Sequence, residues 1–402
     1  MRSYGRKLKR AYKKAKVEDF EALKAKAPKV AEKLEDKYEY WARGDLERRV
    51  LAEIDKRLGC DGHNHKKYRH KKGKMDRGLR LAVRRFQRKH KIYEHTNLRK
   101  KTMKMMGMAP IITNHKAFLR VLTERVVDAA HIIEDGTATV GDKPVTYTGA
   151  DGKTHEVRNL VKEFVGAATS QLGLDTPEKV LDFFKRHPRE DFKWLRVGVR
   201  FPEYPEYYSD HMDLQFIVDR GDVWYDPPFN SKGKRIHQRR ARMPKAYLVL
   251  NYRDQQFRLM RWPTTIGGWR EDLAPNGYLY MKYKGSDVGK RVIRKIIAGP
   301  TWVPPTTTPL KALAKRRYIN GKKQGVVNYN EMGPGYLSAY GLVAGYFVIP
   351  GKADDGSRDN DRGIRAHGSS DYMSILSSRR FSHGCHRLMN HHAIRLYGFL
   401  LN

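Results

Sequence analysis

Ser382-His383-Gly384-Cys385-His386-Arg387 stands close to the C-terminus of this chain, and His367-Gly368 comes shortly before it, 18 residues ahead of Cys385. These few residues supply a thiol, a candidate base, a small residue beside the thiol and a fixed positive charge just after it. A cysteine nucleophile needs a base to remove its proton and donors to hold a developing oxyanion. Gly384 lets a substrate carbonyl approach the backbone, whose N–H groups can point at it. Arg387 can grip a carboxylate with two parallel hydrogen bonds.

His-Gly, a spacer, then Ser-His-Gly-Cys-x-Arg resembles the signature of the L,D-transpeptidases of the YkuD type, which cross-link or trim bacterial peptidoglycan. The resemblance implies Cys385 as nucleophile and His367 as base, with the Gly368 carbonyl orienting the imidazole. It implies Ser382, His383 and Gly384 at the oxyanion side of the site and Arg387 against substrate carboxylate. Two positions depart from the family pattern. His386 stands where Val or Ile is usual, and Ser378 near where many members have Gly. Both bear on pocket shape and leave the reactive groups in place.

The resemblance extends upstream. Ala246–Asn251 and Gln256–Trp262 read as an opening hairpin like the family's first two strands. Ala274-Pro275-Asn276-Gly277 keeps the family's Pro-x-Gly turn chemistry, with Ala274 in place of Thr. Trp302-Val303-Pro304-Pro305 is a further shared segment. Residues 306–331, polar and Lys-rich, form a candidate lid. Ile364–His367 reads as a short strand delivering the base, and Arg387–Leu400 as a final helix. The expected catalytic domain is therefore 243–402.

Charge dominates the rest. The 402 residues carry a net charge of +37. Residues 1–110 hold 35 Lys+Arg against 14 Asp+Glu, so over half the excess sits in the first quarter. Such a surface attracts polyanions, with nucleic acid and an anionic cell wall as the two candidates. No zinc-finger, RRM or other nucleic-acid motif is present, so nucleic acid is not the expected partner. The chain has two cysteines, Cys60 and Cys385, hence no disulfide framework. No run of 18 apolar residues suggests a membrane span. The start, MRSYGRKLKRAYKKAK, is basic with no apolar core behind it and does not read as an intact signal peptide.

Residues 1–58 read as a basic helical arm, broken at Pro28 and Gly44, with Val50, Leu51 and Ile54 on one face. Residues 59–110 form the next expected module. It opens on a loop, 59–74, where Cys60, His63, His65 and His70 fit no standard zinc spacing, so no metal site is assigned. Leu79, Val83 and Phe86 then make a helical stripe. AVRRFQRKHKIY followed by Leu98–Thr102 resembles a degenerate peptidoglycan-binding domain, with Glu94-His95 where Asp-Gly is usual. Residues 111–242 read as an α+β module of unassigned role ending in a basic linker. It would hold a helix 114–135 capped by Asn114, a small hairpin at 136–155, a Thr176-capped helix, and strands at 194–201 and 213–219. The acidic pair Glu134-Asp135 reads as a helix end and turn.

The expected fold is α+β: a mainly β C-terminal L,D-transpeptidase domain behind helical N-terminal modules. The resemblance implies acyl transfer from peptidoglycan stem peptides through a thioester, in the periplasm or at the cell wall, with the sacculus as partner and no cofactor. The alternatives are an L,D-carboxypeptidase using water, and a non-catalytic basic polyanion binder.

Overall fold

The computed structural model describes residues 2–64, 73–92, 94, 96–234, 236, 241–351, 359–376 and 382–402. The expected His65, His70, His95 and Ser378 features lie outside them. The chain divides into two compact units, Met1–Ala117 and Phe118–Asn402.

The first unit is helical: α1 Arg2–Ala15, α2 Phe20–Lys26, α3 Pro28–Glu32, α4 Glu35–Cys60, α5 Arg77–Lys89 and α6 Lys100–Met106, and the start of α7 Pro110–Ala130. Pro28 opens α3, where its missing N–H costs nothing. Gly44 does not break α4 as expected, because a single interior glycine costs only about 1 kcal/mol, which a 26-residue helix tolerates. Leu51 and Ile54 are buried, whereas Val50 points outward.

α5 begins at Asp76, whose Oδ1 accepts from Leu79 N at 2.9 Å. Its stripe Leu79, Ala82, Val83 and Phe86 packs against Leu51, Ile54 and Leu58 of α4. Gln87, buried after Phe86, donates to Asn97 O and Thr102 Oγ1, each at 2.9 Å, and accepts from Thr96 N at 2.9 Å. Glu94 accepts from Thr102 N at 3.0 Å and Thr102 Oγ1 at 2.6 Å, holding the start of α6. The helix–turn–helix is thus closed by the side chains of Gln87, Glu94 and Thr102.

Asn114 does not cap a helix. α7 starts four residues earlier at Pro110, a residue pre-set for the first helical position, and Asn114 Oδ1 accepts from Lys89 Nζ at 2.7 Å. α7 also ends at Ala130, before the expected Asp135, as His131 turns to φ 48°.

In the second unit two small hairpins follow, β1 Thr139–Val140 with β2 Lys143–Pro144, and β3 Thr146–Thr148 with β4 Thr154–Glu156. Then come α8 Leu160–Gln171 and α9 Pro177–Arg186. α9 is capped as expected, Thr176 Oγ1 accepting from Lys179 N at 3.2 Å. The strand expected at 194–201 is absent. Gln171 takes the place of a neighbouring strand, its amide donating to Arg200 O at 2.7 Å and accepting from Arg200 N at 2.9 Å. The backbone groups of Arg200 are thereby satisfied without a neighbouring strand, and Trp194 is left exposed.

β5 Asp213–Asp219 pairs antiparallel with β6 Lys245–Tyr252, which pairs with β7 Gln255–Pro263. The stretch read as a separate module, 111–242, therefore supplies a strand to the sheet that opens the expected catalytic domain. It also supplies core: Ile133, Ala138, Tyr147 and Tyr207 pack with Leu248, Leu259 and Trp262. Glu134 and Asp135 do more than end a helix. Glu134 is fully buried and accepts from Tyr207 Oη at 3.0 Å and Tyr208 Oη at 2.6 Å. Asp135 accepts from Trp262 Nε1 at 2.8 Å and faces Arg395 at 3.5 Å.

A hairpin, β8 Gly268–Leu273 and β9 Leu279–Lys284, turns at Pro-Asn-Gly, where Gly277 has φ 81°. β10 Val292–Ala298 follows. The expected lid contains α10 Leu310–Leu313, a second hairpin, β11 Ala314–Ile319 and β12 Lys322–Val327, and α11 Tyr329–Met332. The last elements are β13 Val343–Val348, β14 Arg365–Ser369, α12 Tyr372–Leu376, β15 His386–Met389 and α13 Asn390–Leu401. The final helix is shorter than expected, because Arg387 and Leu388 belong to β15. A four-stranded sheet runs β10-β13-β14-β15, with β14 and β15 parallel.

Candidate active site

Parallel pairing of β14 and β15 sets His367 opposite Arg387 and Ala366 opposite His386. Side chains alternate between faces along a strand, and opposed residues share a face. His367 and Arg387 therefore stand on one face, with Cys385, two residues before Arg387, on the same side. His386 and Ala366 take the other. The cavities follow this division. His367, Cys385 and Arg387 open into one cavity of about 440 Å³. His386 faces a separate groove on the opposite side.

The imidazole of His367 is 2 % exposed. Its Nδ1 lies 2.7 Å from Gly368 O. A carbonyl only accepts, so Nδ1 carries the hydrogen and Nε2 is left as the basic nitrogen. Burial, then the charge of Arg387, lowers the His367 pKa to about 3, so the ring is neutral. Tyr340 covers it edge-on, ring centroids 4.9 Å apart. Burial pushes the Tyr340 phenol up to about 12.

Burial likewise raises the Cys385 pKa, against the pull of the neighbouring backbone, Arg387 and Arg365. The resting pair is thus a neutral thiol and a neutral imidazole, where a standing thiolate would call for the opposite shifts. Cys385 Sγ reaches Gly363 O at 3.5 Å.

The loop before Cys385 is fixed from behind. Ser382 N donates to Ile266 O at 2.8 Å. Ser382 Oγ accepts from Gly384 N at 3.1 Å, so that N–H, expected to face substrate, is engaged at rest. Gly384 has φ +118°, a conformation that L side chains rarely adopt, and a Cβ there would meet Gly285 O at 2.9 Å. Ser286 Oγ donates to Gly384 O at 2.6 Å and accepts from Gly267 N at 2.9 Å. Past the cysteine, Arg387 N donates to Thr265 Oγ1 at 3.2 Å and Thr264 Oγ1 donates to Arg387 O at 3.0 Å. The backbone around the thiol is thereby held on both sides. His383 lies exposed at the cavity rim.

Arg387 forms no ion pair among the described residues, and its Nε is buried without a partner. A guanidinium in that state facing a cavity is arranged for an incoming anion. Two acids of the lining are paired, Asp272 with Lys284 at 2.6 Å and Glu271 with Lys311 at 2.5 Å. Glu331, beside Arg387, has its pKa raised by burial. Thr307, Thr308, Lys311 and Glu331, from the expected lid, line the cavity wall.

Several residues around the site carry no local signal. Tyr340, Ser286 and Thr265 lie in loops and Asn390 opens α13; all acquire their places only through folding. Among the described residues, no group of three or more His, Cys, Asp and Glu side chains is set to hold a metal ion. His63 is buried and Cys60 exposed in the first unit.

Residues 233–402 match the family model of the YkuD L,D-transpeptidase catalytic domain. No curated protein and no solved structure matches the chain significantly.

Proposed function

We propose, from the YkuD L,D-transpeptidase domain that residues 233–402 carry, that the chain transfers acyl groups of peptidoglycan stem peptides through a thioester on Cys385. The observation that carries this reading is the shared cavity of Cys385, His367 and Arg387, all on one side of two parallel strands.

Substrate enters with a carboxylate against the unpartnered guanidinium of Arg387. His367 Nε2 takes the thiol proton as Sγ attacks the carbonyl of the L-centre before a terminal D-residue. Proton transfer accompanies attack, because the resting thiol is neutral. The C–S bond forms, and negative charge gathers on the carbonyl oxygen near the 383–385 backbone. The C–N bond then breaks, and His367 returns its proton to the departing amine of the D-residue. An amine of a second stem resolves the thioester, giving a cross-link; water in its place gives a trimmed stem. Gly368 O keeps His367 in one tautomer through the cycle.

The site of action would be the periplasm or the wall, with the sacculus as partner. No helix among the described residues is long and apolar enough to cross a membrane. The α5–turn–α6 unit, with its Phe86-Gln87…Thr102 closure, is assigned to wall binding.

Incubation of the full chain with purified muropeptides, followed by mass analysis, tests the proposal. A cross-linked dimer, or loss of a terminal D-residue, supports acyl transfer. Unchanged muropeptides leave a basic wall-binding protein.

A further inference from the structure

Behind the active-site sheet lies a second and larger cavity, a groove of about 970 Å³. Two of its walls are strands that pair on one side only among the described residues. Among the described residues β5 pairs only with β6, and β10 only with β13. Both line the groove, β5 through residues 214–219 and β10 through Val292 and Ile293. An unpaired strand edge presents a row of N–H and C=O groups ready to accept another chain.

The groove's surface says what kind of chain. Its floor is apolar: Phe216 and Phe347 lie 6.0 Å apart, with Ile364 beneath. Its lining is basic, with exposed Arg242 and Lys290 and the less accessible Arg220 and Arg291, against Asp219 and Asp287. Arg242 and Arg291 have their charges partly met by these acids, at 3.9 and 3.5 Å. Lys290 is exposed and forms no ion pair among the described residues.

We propose that the groove between the free edges of β5 and β10 receives an extended acidic peptide as an added strand. Its backbone pairs with an open edge, its apolar side chains meet the Phe216–Phe347 floor, and its carboxylates meet the basic lining. Such a mode draws affinity from main-chain hydrogen bonds and selectivity from alternate side chains, and the opposite charges guide approach. The inference is independent of the chemistry at Cys385.

The test uses the full chain at physiological salt and a labelled peptide of about eight residues, the length of a strand, alternating Val and Glu. A second copy is N-methylated on alternate backbone amides. The unmodified peptide should bind and saturate. The N-methylated copy should bind about tenfold more weakly, the equivalent of one or two hydrogen bonds. Ile217→Asp, at an exposed edge position, and Lys290→Glu should each weaken binding while circular dichroism stays unchanged. Equal binding of both peptides would overturn the proposal by reducing it to charge attraction. So would equal competition by a DNA oligonucleotide or by inorganic phosphate, insensitivity to both substitutions, or no binding at all.

Discussion

Gly368 and Asn390 compete for the same space: a Cβ built on Gly368 would lie 2.3 Å from Asn390 Oδ1. Asn390 is held there by Leu342 N, which donates to Oδ1 at 3.0 Å, and by its own donation to Tyr336 O at 3.2 Å. The carbonyl that orients His367 thus sits on a backbone that admits only glycine. Gly368→Ala should lose roughly 1–3 kcal/mol of stability, as overpacking does, and most of its turnover. Asn390→Ala should also destabilise, by orphaning Leu342 N. The double variant should be more stable than the sum of the two losses, since one removes the obstacle the other strikes. Thermal melts of all four proteins measure the coupling; strict additivity would deny the contact.

Cys385→Ala should abolish turnover of muropeptides, because no thioester can form. His367→Ala keeps the thiol and loses its base, a loss of about 10²–10⁴-fold. Cys60→Ala should match the parent. Release of the terminal D-residue, or appearance of dimer, is the readout. Full turnover by Cys385→Ala would remove the acyl-transfer reading.

Arg387→Lys should raise KM roughly tenfold or more, with a smaller change in kcat. Lysine keeps the charge but not the planar fork, and hydrogen bonds to charged groups are worth about 1.5–3 kcal/mol. Steady-state kinetics on muropeptides with and without the terminal carboxylate amidated separate the cases. The amidated substrate should erase the difference between parent and variant.

Acid should destabilise the second unit well before carboxylates titrate. Burial lowers His367 to about 3 and His386 to about 4, from 6.5. Between those values and 6.5 the unfolded chain binds more protons than the folded one, so stability is full above pH 6.5 and falls as pH drops. His386→Val removes one of these buried imidazoles without touching the cavity of Cys385. Its Tm should fall less between pH 7 and pH 5 than that of the parent. Equal losses would show that His386 does not contribute.

Removal of residues 1–110 should reduce co-sedimentation with isolated sacculi and leave chemistry on small muropeptides mostly intact. Retention that disappears from the full chain at moderate salt would assign the effect to exposed charge, which salt screens. Unchanged sedimentation after the deletion would remove the wall-binding assignment of α5 and α6.

What sequence reading reached, and what it missed, follows how far apart the interacting groups lie. The hairpin at 246–262, the Pro-Asn-Gly turn and the strand carrying His367 are local patterns, and each appears close to where it was expected. The grouping of His367, Cys385 and Arg387 follows from a motif and one strand pairing. Residues 194–201 read as a strand, but Gln171, far back in the chain, takes up the backbone hydrogen bonds of Arg200. Glu134 resembles an ordinary helix-end acid until Tyr207 and Tyr208 close over it. Asn114 is a good capping residue, overruled by Pro110 upstream. The neutral state of the thiol is likewise invisible in a motif, because burial, set by the whole fold, decides it.

The pairing of β5 with β6 has a practical meaning for anyone moving the family-matched domain between proteins. The family match begins at residue 233, but the antiparallel ladder 213–219 to 245–251 begins before it. A graft cut at 233 would leave β6 with a raw border and strip Ile133, Tyr147 and Tyr207 from around Trp262. The compact unit that keeps this ladder and core whole is Phe118–Asn402, larger than the stretch the family model covers.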